Sequence, residues 1–206
     1  MNRIFTLLML VCAALVLPAA AADRESGAGG DGYAVGDRLA PGGASGDEFV
    51  AITWDDLIPP DWIPEELFKG LFDDVDPDGM QDADPRAIEI MARIREEWDK
   101  APAVAGMDGR RVRIPGFVVP LDVADRQIGE FLLVPYFGAC IHVPPPPANQ
   151  LIHVLPDKPI PAAWNMAPVW VSGVLSVARF DSEMGDAGYQ LRGVRVEEYT
   201  DPVPQN

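Results

Sequence analysis

Two cysteines, Cys12 and Cys140, and two histidines, His142 and His153, are the only thiols and imidazoles in 206 residues. Any soft-metal or nucleophilic chemistry must therefore draw on four side chains. Basic residues are also scarce: 16 Lys plus Arg stand against 32 Asp plus Glu, a formal net charge of −16. A chain of this charge repels a phosphate backbone and offers no basic patch to an anionic membrane, which argues against nucleic acid as a partner. No Gly-rich phosphate loop, dinucleotide fingerprint or H-E-x-x-H motif occurs, and nothing resembles an oxyanion-hole or nucleophile-elbow signature. The chain does have core-forming residues. With 48% hydrophobic and 23% charged residues, it is rich enough for one packed domain with appendages, which excludes wholesale disorder.

The N-terminus reads as an export signal. Arg3 provides a positive start, Ile4 to Leu17 an almost unbroken apolar run, and Pro18 with Ala19 to Ala22 the small residues that a signal peptidase recognises. The run is shorter than the roughly 20 residues that span a bilayer, and no second one follows. Lipidation at Cys12 is disfavoured by bulky Leu10 and Val11 just before it. Cleavage near Ala22 implies a periplasmic mature chain with no transmembrane segment. Cys140 is then the only cysteine left, unable to form an internal disulfide in an oxidising compartment.

Residues 23–48 are rich in Gly, Ala, Ser and Asp and predict a flexible leader. Residues 49–105 predict a helical prelude packing on the main domain. Within it Phe49 to Trp54 form an extended segment, and Trp54, Leu57, Ile58 and Trp62 are candidate anchors. Pro64 to Phe72 read as a short helix, and a second helix starts at Pro85 with Asp84 as N-cap. In that second helix Ile88, Met91, Ile94, Arg95 and Trp98 keep a period near 3.6 until Pro102. From residue 106 to 200 the pattern turns to β: Arg111 to Leu121, Glu130 to Phe137, Gln150 to Leu155, Pro168 to Phe180 and Tyr189 to Tyr199 are strand-like runs, with a short tail after 200. Gly116 and Gly173 interrupt two of them, as at the corners of a small barrel. The expected fold is mainly β, an OB-like barrel of about five strands, although an open sheet fits the same runs. Charge follows this division. Residues 23–100 hold 21 acidic and 7 basic side chains, whereas 101–206 hold 11 and 8.

Two constellations carry chemistry. Asp74, Asp76, Asp78 and Asp82 occupy positions 1, 3, 5 and 9 of a calcium loop, with Gly79 at position 6. Pro85 stands where the bidentate Glu belongs, which favours an acidic loop capping the second helix over a calcium site. The other constellation is Cys140 and His142, whose side chains face one way in an extended chain, followed by the rigid Pro144 to Pro147. A thiolate beside an imidazole suits zinc or copper, and also a Cys nucleophile activated by His. The plainer reading is a small buried Cys and a histidine bonded to backbone. His153 lies on the next strand and joins the pair if the two strands form a hairpin.

Trp54 to Pro59, Asp108 to Leu121 and Phe131 to Gln150, above all Gly138 to Pro147, together resemble the exported bacterial family known as domain of unknown function 3299. Val169 to Gly173 and Gly185 to Tyr189 are similar to its later segments, so that the likeness runs from about Trp54 to Tyr199. The resemblance implies an OB-like barrel, an exported and often periplasmic protein, and neighbourhood with ABC-class transporters linked to zinc uptake. It does not extend to the acidic stretch Asp73 to Asp84.

Three functional expectations follow. The first is a non-enzymatic accessory protein of metal import or homeostasis that binds zinc through Cys140 and His142, with His153 or a carboxylate completing the site. The second is a metal-free docking module of an envelope transporter complex, presenting the barrel rim and the proline turn. The third is a thiol enzyme with Cys140 as nucleophile and His142 as base.

Overall fold

The computed structural model describes residues 32–40, 48–64, 84–139 and 145–201. The export signal, the Asp74 to Asp82 loop, most of the first predicted helix, and Cys140 with His142 lie outside the described residues.

The β-rich half folds as expected from its runs. The strands are β1 (Val50–Ala51), β2 (Arg111–Ala124), β3 (Gln127–Val134), β4 (Ile152–Pro156), β5 (Ile160–Pro161), β6 (Pro168–Phe180) and β7 (Ala187–Glu198). They hydrogen-bond in the order β1-β2-β6-β7-β4-β3-β5, and a further β2–β3 pairing closes the sheet. The closed ring is β2-β3-β4-β7-β6, which in chain order reads 1-2-3-5-4-1. Its β4–β7 pair is parallel, while its other pairs are antiparallel. This is the Greek-key connectivity of an OB barrel. Asp125 and Arg126, both at positive φ, make the two-residue turn between β2 and β3.

Period-2 alternation sorts the side chains into two clusters. Val112, Ile114, Val118, Phe131, Leu133, Ile152, Val154, Val171, Tyr189 and Leu191 fill the barrel interior. Phe117, Val119, Leu132, Val134, Leu151 and Trp170 point outward, yet they are also buried. Their cover comes partly from the segment predicted to be a flexible leader. Over residues 32–40 the Tyr33 ring meets Phe117 edge-on at 5.2 Å, Leu39 is buried, and Tyr199 donates its hydroxyl to Ala40 O at 3.1 Å. Average composition conceals this, because two large side chains are enough to cover an apolar face that water would otherwise wet.

The prelude also enters the core. Ile52, Trp54 and Leu57 join the interior cluster, and Trp54 donates its indole N–H to Pro115 O at 2.7 Å. Ile58 and Trp62, named with them as anchors, are only half-buried.

Helix α1 (Pro85–Asp99) begins where its signals place it. Asp84 accepts the Arg86 N–H at 2.8 Å, and Pro85 occupies the first helical position. The N-terminal part of its apolar stripe is open, with Ile88 and Met91 57% and 41% exposed, while Ile94 and Trp98 are half-buried and Ile90 is buried. The attachment is at the C-terminal end, where Arg179 donates to Asp99 O at 2.5 Å and Asn149 to Pro102 O at 3.1 Å. Asp84→Ala is expected to lower the opening free energy of α1 by about 1 kcal/mol. Native-state hydrogen exchange of the α1 amides is the measurement, since a peripheral helix can fray without moving the global transition.

Candidate functional site

His153 is the one predicted site residue among the described residues, and it lies on the outer face of the barrel. Even-numbered Ile152 and Val154 turn inward, so His153 turns outward with Leu151. It is nonetheless only 3% exposed. Three neighbours enclose it, each from a different strand. Phe180, at the end of β6, stacks on the imidazole with ring centres 3.7 Å apart and an interplanar angle of 13°. Gln190 of β7, the register partner of His153, approaches Nδ1 with its amide nitrogen at 3.2 Å. Glu130 of β3 brings Oε1 against Nε2.

The amide of Gln190 decides what this contact can do. If its N–H donates to Nδ1, the ring is neutral and Nε2–H donates to Glu130. If the amide is turned over, Nδ1–H donates to the amide oxygen and the Nε2 lone pair faces the Glu130 carboxylate. Two acceptors then oppose each other, and at this separation a proton must lie between them; a divalent cation would need the two atoms to draw apart. A carbonyl-type acceptor on the far nitrogen is also the usual orientation device for a metal-ligating histidine. Among the described residues no third Cys, His, Asp or Glu joins the pair.

Ala139 and Pro145, the described residues on either side of 140–144, both pack on this outer face. Ala139 is fully buried in the outer cluster with Leu132 and Leu151. Pro145 abuts Gly185, where a Cβ would come within 2.9 Å of both Pro145 Cβ and Leu151 Cδ1. Leu151 is two positions before His153 on the same side of the chain. The proline turn then runs into buried Asn149 and Gln150, and Gln150 donates to Trp54 O at 2.9 Å. These two amides pin the turn and the prelude to the barrel.

Glu130, Gln190 and Phe180 escaped the sequence reading. Each is an ordinary strand residue, and only register brings them together, across 23 and 37 residues for the two polar contacts. A groove lies elsewhere, along α1. It encloses about 930 Å³ from Ala87 to Asp99, with Pro145 as its far wall.

Comparison with known proteins gives a family and a fold. The profile described as "Protein of unknown function (DUF3299)" matches residues 54–198. Among solved structures, the chain is similar to the crystal structure of a DUF3299 family protein from Pseudomonas aeruginosa PAO1. The two share 33% identity with a TM-score of 0.56, covering 73% of this chain and 96% of that one. Comparison with curated proteins finds no match. No helix among the described residues is long and apolar enough to cross a membrane.

Proposed function

This chain belongs to the DUF3299 family of proteins of unknown function, and we propose that it is an exported, non-enzymatic accessory protein of the periplasm that binds a transition metal, zinc foremost. The ligands are His153 and Glu130 from the barrel face and Cys140 and His142 from the adjoining segment, and the role is in metal import or homeostasis beside an envelope transporter. One observation carries the reading: a buried imidazole and a carboxylate, a nitrogen and an oxygen donor, stand side by side under an aromatic cover, where a metal would take both once they draw slightly apart. It is supported by the packing of Ala139 and Pro145, on either side of 140–144, on the same face. Four ligands of sulfur, nitrogen and oxygen type make a closed zinc site with no open position for a reacting water, hence a carrier rather than a catalyst. The excess of carboxylates before residue 101 raises the local concentration of divalent cations.

The purified mature chain is expected to hold about one zinc per molecule. Cys140→Ser, His142→Ala and Glu130→Gln are each expected to weaken binding at least tenfold. Negligible zinc in the wild-type chain would overturn the reading.

A second reading, a metal-free docking module of an envelope transporter complex, is favoured by a different observation. Pro145 of the proline turn and the outward apolar stripe of α1 line one groove. In that case His153 and Glu130 act only in packing, and the zinc content of all four proteins is equally low.

A further inference from the structure

An arginine stands next to the cover over His153. Phe180 ends β6, and the residue before it, Arg179, gathers three neighbours. Its Nε donates to Asp181 at 2.7 Å, one terminal nitrogen to Asp186 at 2.5 Å, and the other to the Asp99 carbonyl at 2.5 Å. Asp181 and Asp186 are the two ends of the β6–β7 loop, and Asp99 ends α1, so a single guanidinium ties the loop base shut and fixes it to the helix. The ladder does not do this by itself. Pairing is regular from Gly173 with Gly193 to Val177 with Tyr189, then shifts before resuming at Phe180 with Ala187. The Val177 N–H turns instead to Asp108 Oδ1 at 2.9 Å. The two residues just before Phe180 therefore have no register partner on β7, and the Arg179 side chain ties that stretch down.

We propose that Arg179 is a positioning residue that keeps Phe180 stacked on His153 and so controls access to the imidazole. Electrostatics give the clasp its direction. Asp99 has its carboxyl held above the usual range by burial and by Asp186, with Arg179 pulling the other way. Without the guanidinium, the carboxylates of Asp99, Asp181 and Asp186 lose the cation that lies among them, leaving Arg95 to offset Asp99 alone, and their repulsion spreads the loop away from α1. Phe180 follows, because it is the next residue along the strand. The planar fork of Arg spreads its donors towards three separated partners, whereas a lysine ammonium offers its three donors from a single point.

The proposal extends the metal-site reading by assigning the entry control of that site, but its main test needs no metal. The metal-free, reduced full chain is treated with diethyl pyrocarbonate, and modification of each histidine is followed separately by peptide mass. His153 in the wild type is expected to react at least tenfold more slowly than a free imidazole. Phe180→Ala and Arg179→Gln are expected to raise its rate about tenfold, and Arg179→Lys to give an intermediate rate. The control Arg111→Gln, which removes another surface arginine paired with Glu48, should leave it unchanged. Unfolding midpoints measured in parallel should move little, which separates loss of the cover from loss of the fold. A His153 rate unchanged in Arg179→Gln but raised in Phe180→Ala would overturn the role of Arg179. A wild-type rate equal to that of free imidazole would overturn the cover itself. If zinc binds, its release to a chelator should accelerate in Arg179→Gln by the same factor. If zinc does not bind, the metal-site reading fails and the modification rates still decide this one.

Discussion

Gly173→Ala is expected to destabilise the barrel by about 3 kcal/mol or more, enough to consume a large part of the 5–15 kcal/mol that a domain of this kind has. Gly173 lies on β6 between Val112 of β2 and Gly193 of β7, at a register shift in the β6–β7 ladder. A Cβ there would stand 2.0 Å from Arg192 O and 2.7 Å from Leu191 Cδ2. The nearest obstacle is backbone, so no rotamer change relieves it. Either β6 and β7 separate and lose ladder bonds, or the chain does not fold to this barrel. Gly129 is the matched control, because its nearest neighbour is Asp122 Oδ2 at 3.3 Å, the end of a side chain that can move. Urea unfolding should place Gly129→Ala within about 1 kcal/mol of wild type. If Gly173→Ala proves as stable as that control, the β6–β7 approach is wrong.

Tyr189→Phe is expected to cost about 2–4 kcal/mol at neutral pH, although it removes one oxygen atom. Tyr189 is fully buried, and its hydroxyl both donates to Leu57 O at 2.9 Å and accepts the Val104 N–H at 2.6 Å. One phenol thus ties the prelude and the connector after α1 to the barrel interior, and its removal leaves two backbone groups without it. Burial also pushes the Tyr189 hydroxyl above its ordinary 10.0, only partly offset by the Val104 hydrogen bond. The folded state therefore keeps this proton at a pH where the unfolded chain has begun to lose it. The stabilisation is whole below pH 10 and declines as pH rises beyond it. The gap between wild type and Tyr189→Phe should accordingly narrow above pH 10 in urea unfolding. A gap that stays constant would show that the phenol is not the group titrating.

The strands and α1 were legible because each is a local statement. Runs rich in Val, Ile and aromatics between Gly, Pro and Asp clusters mark β2, β3, β4, β6 and β7, and Asp84-Pro85 marks a helix start. Gly116 and Gly173 interrupt apolar runs and so read as corners of a small barrel; at Gly173 the β6–β7 register does shift, whereas Gly116 is a site of close approach. At Gly116 a Cβ would meet Leu133 Cγ at 2.7 Å and Val134 O at 2.8 Å, where the ring closes. Whatever depends on pairing was not legible. His153 was singled out because histidines are few, but Glu130, Gln190 and Phe180 become its neighbours through a register that no local pattern specifies. The stripe on α1 shows the same limit, because a period of 3.6 reveals an apolar face without saying what it faces. Tyr33 and Leu39 were hidden by the Gly- and Ser-rich composition around them, and they cover Phe117 all the same.

The central claim, a metal held jointly by the barrel face and the Cys140 segment, is tested most directly by cobalt(II) added to the reduced, zinc-free mature chain. Cobalt reports its ligands by colour. Thiolate ligation gives a near-ultraviolet charge-transfer band, and four-coordinate geometry gives strong visible bands, whereas hydrated cobalt is nearly colourless. Both features are expected to appear and to saturate at one equivalent. The charge-transfer band should vanish in Cys140→Ser, and the visible bands should shift and weaken in Glu130→Gln. A spectrum that stays that of hydrated cobalt, or one identical in wild type and Glu130→Gln, would contradict it.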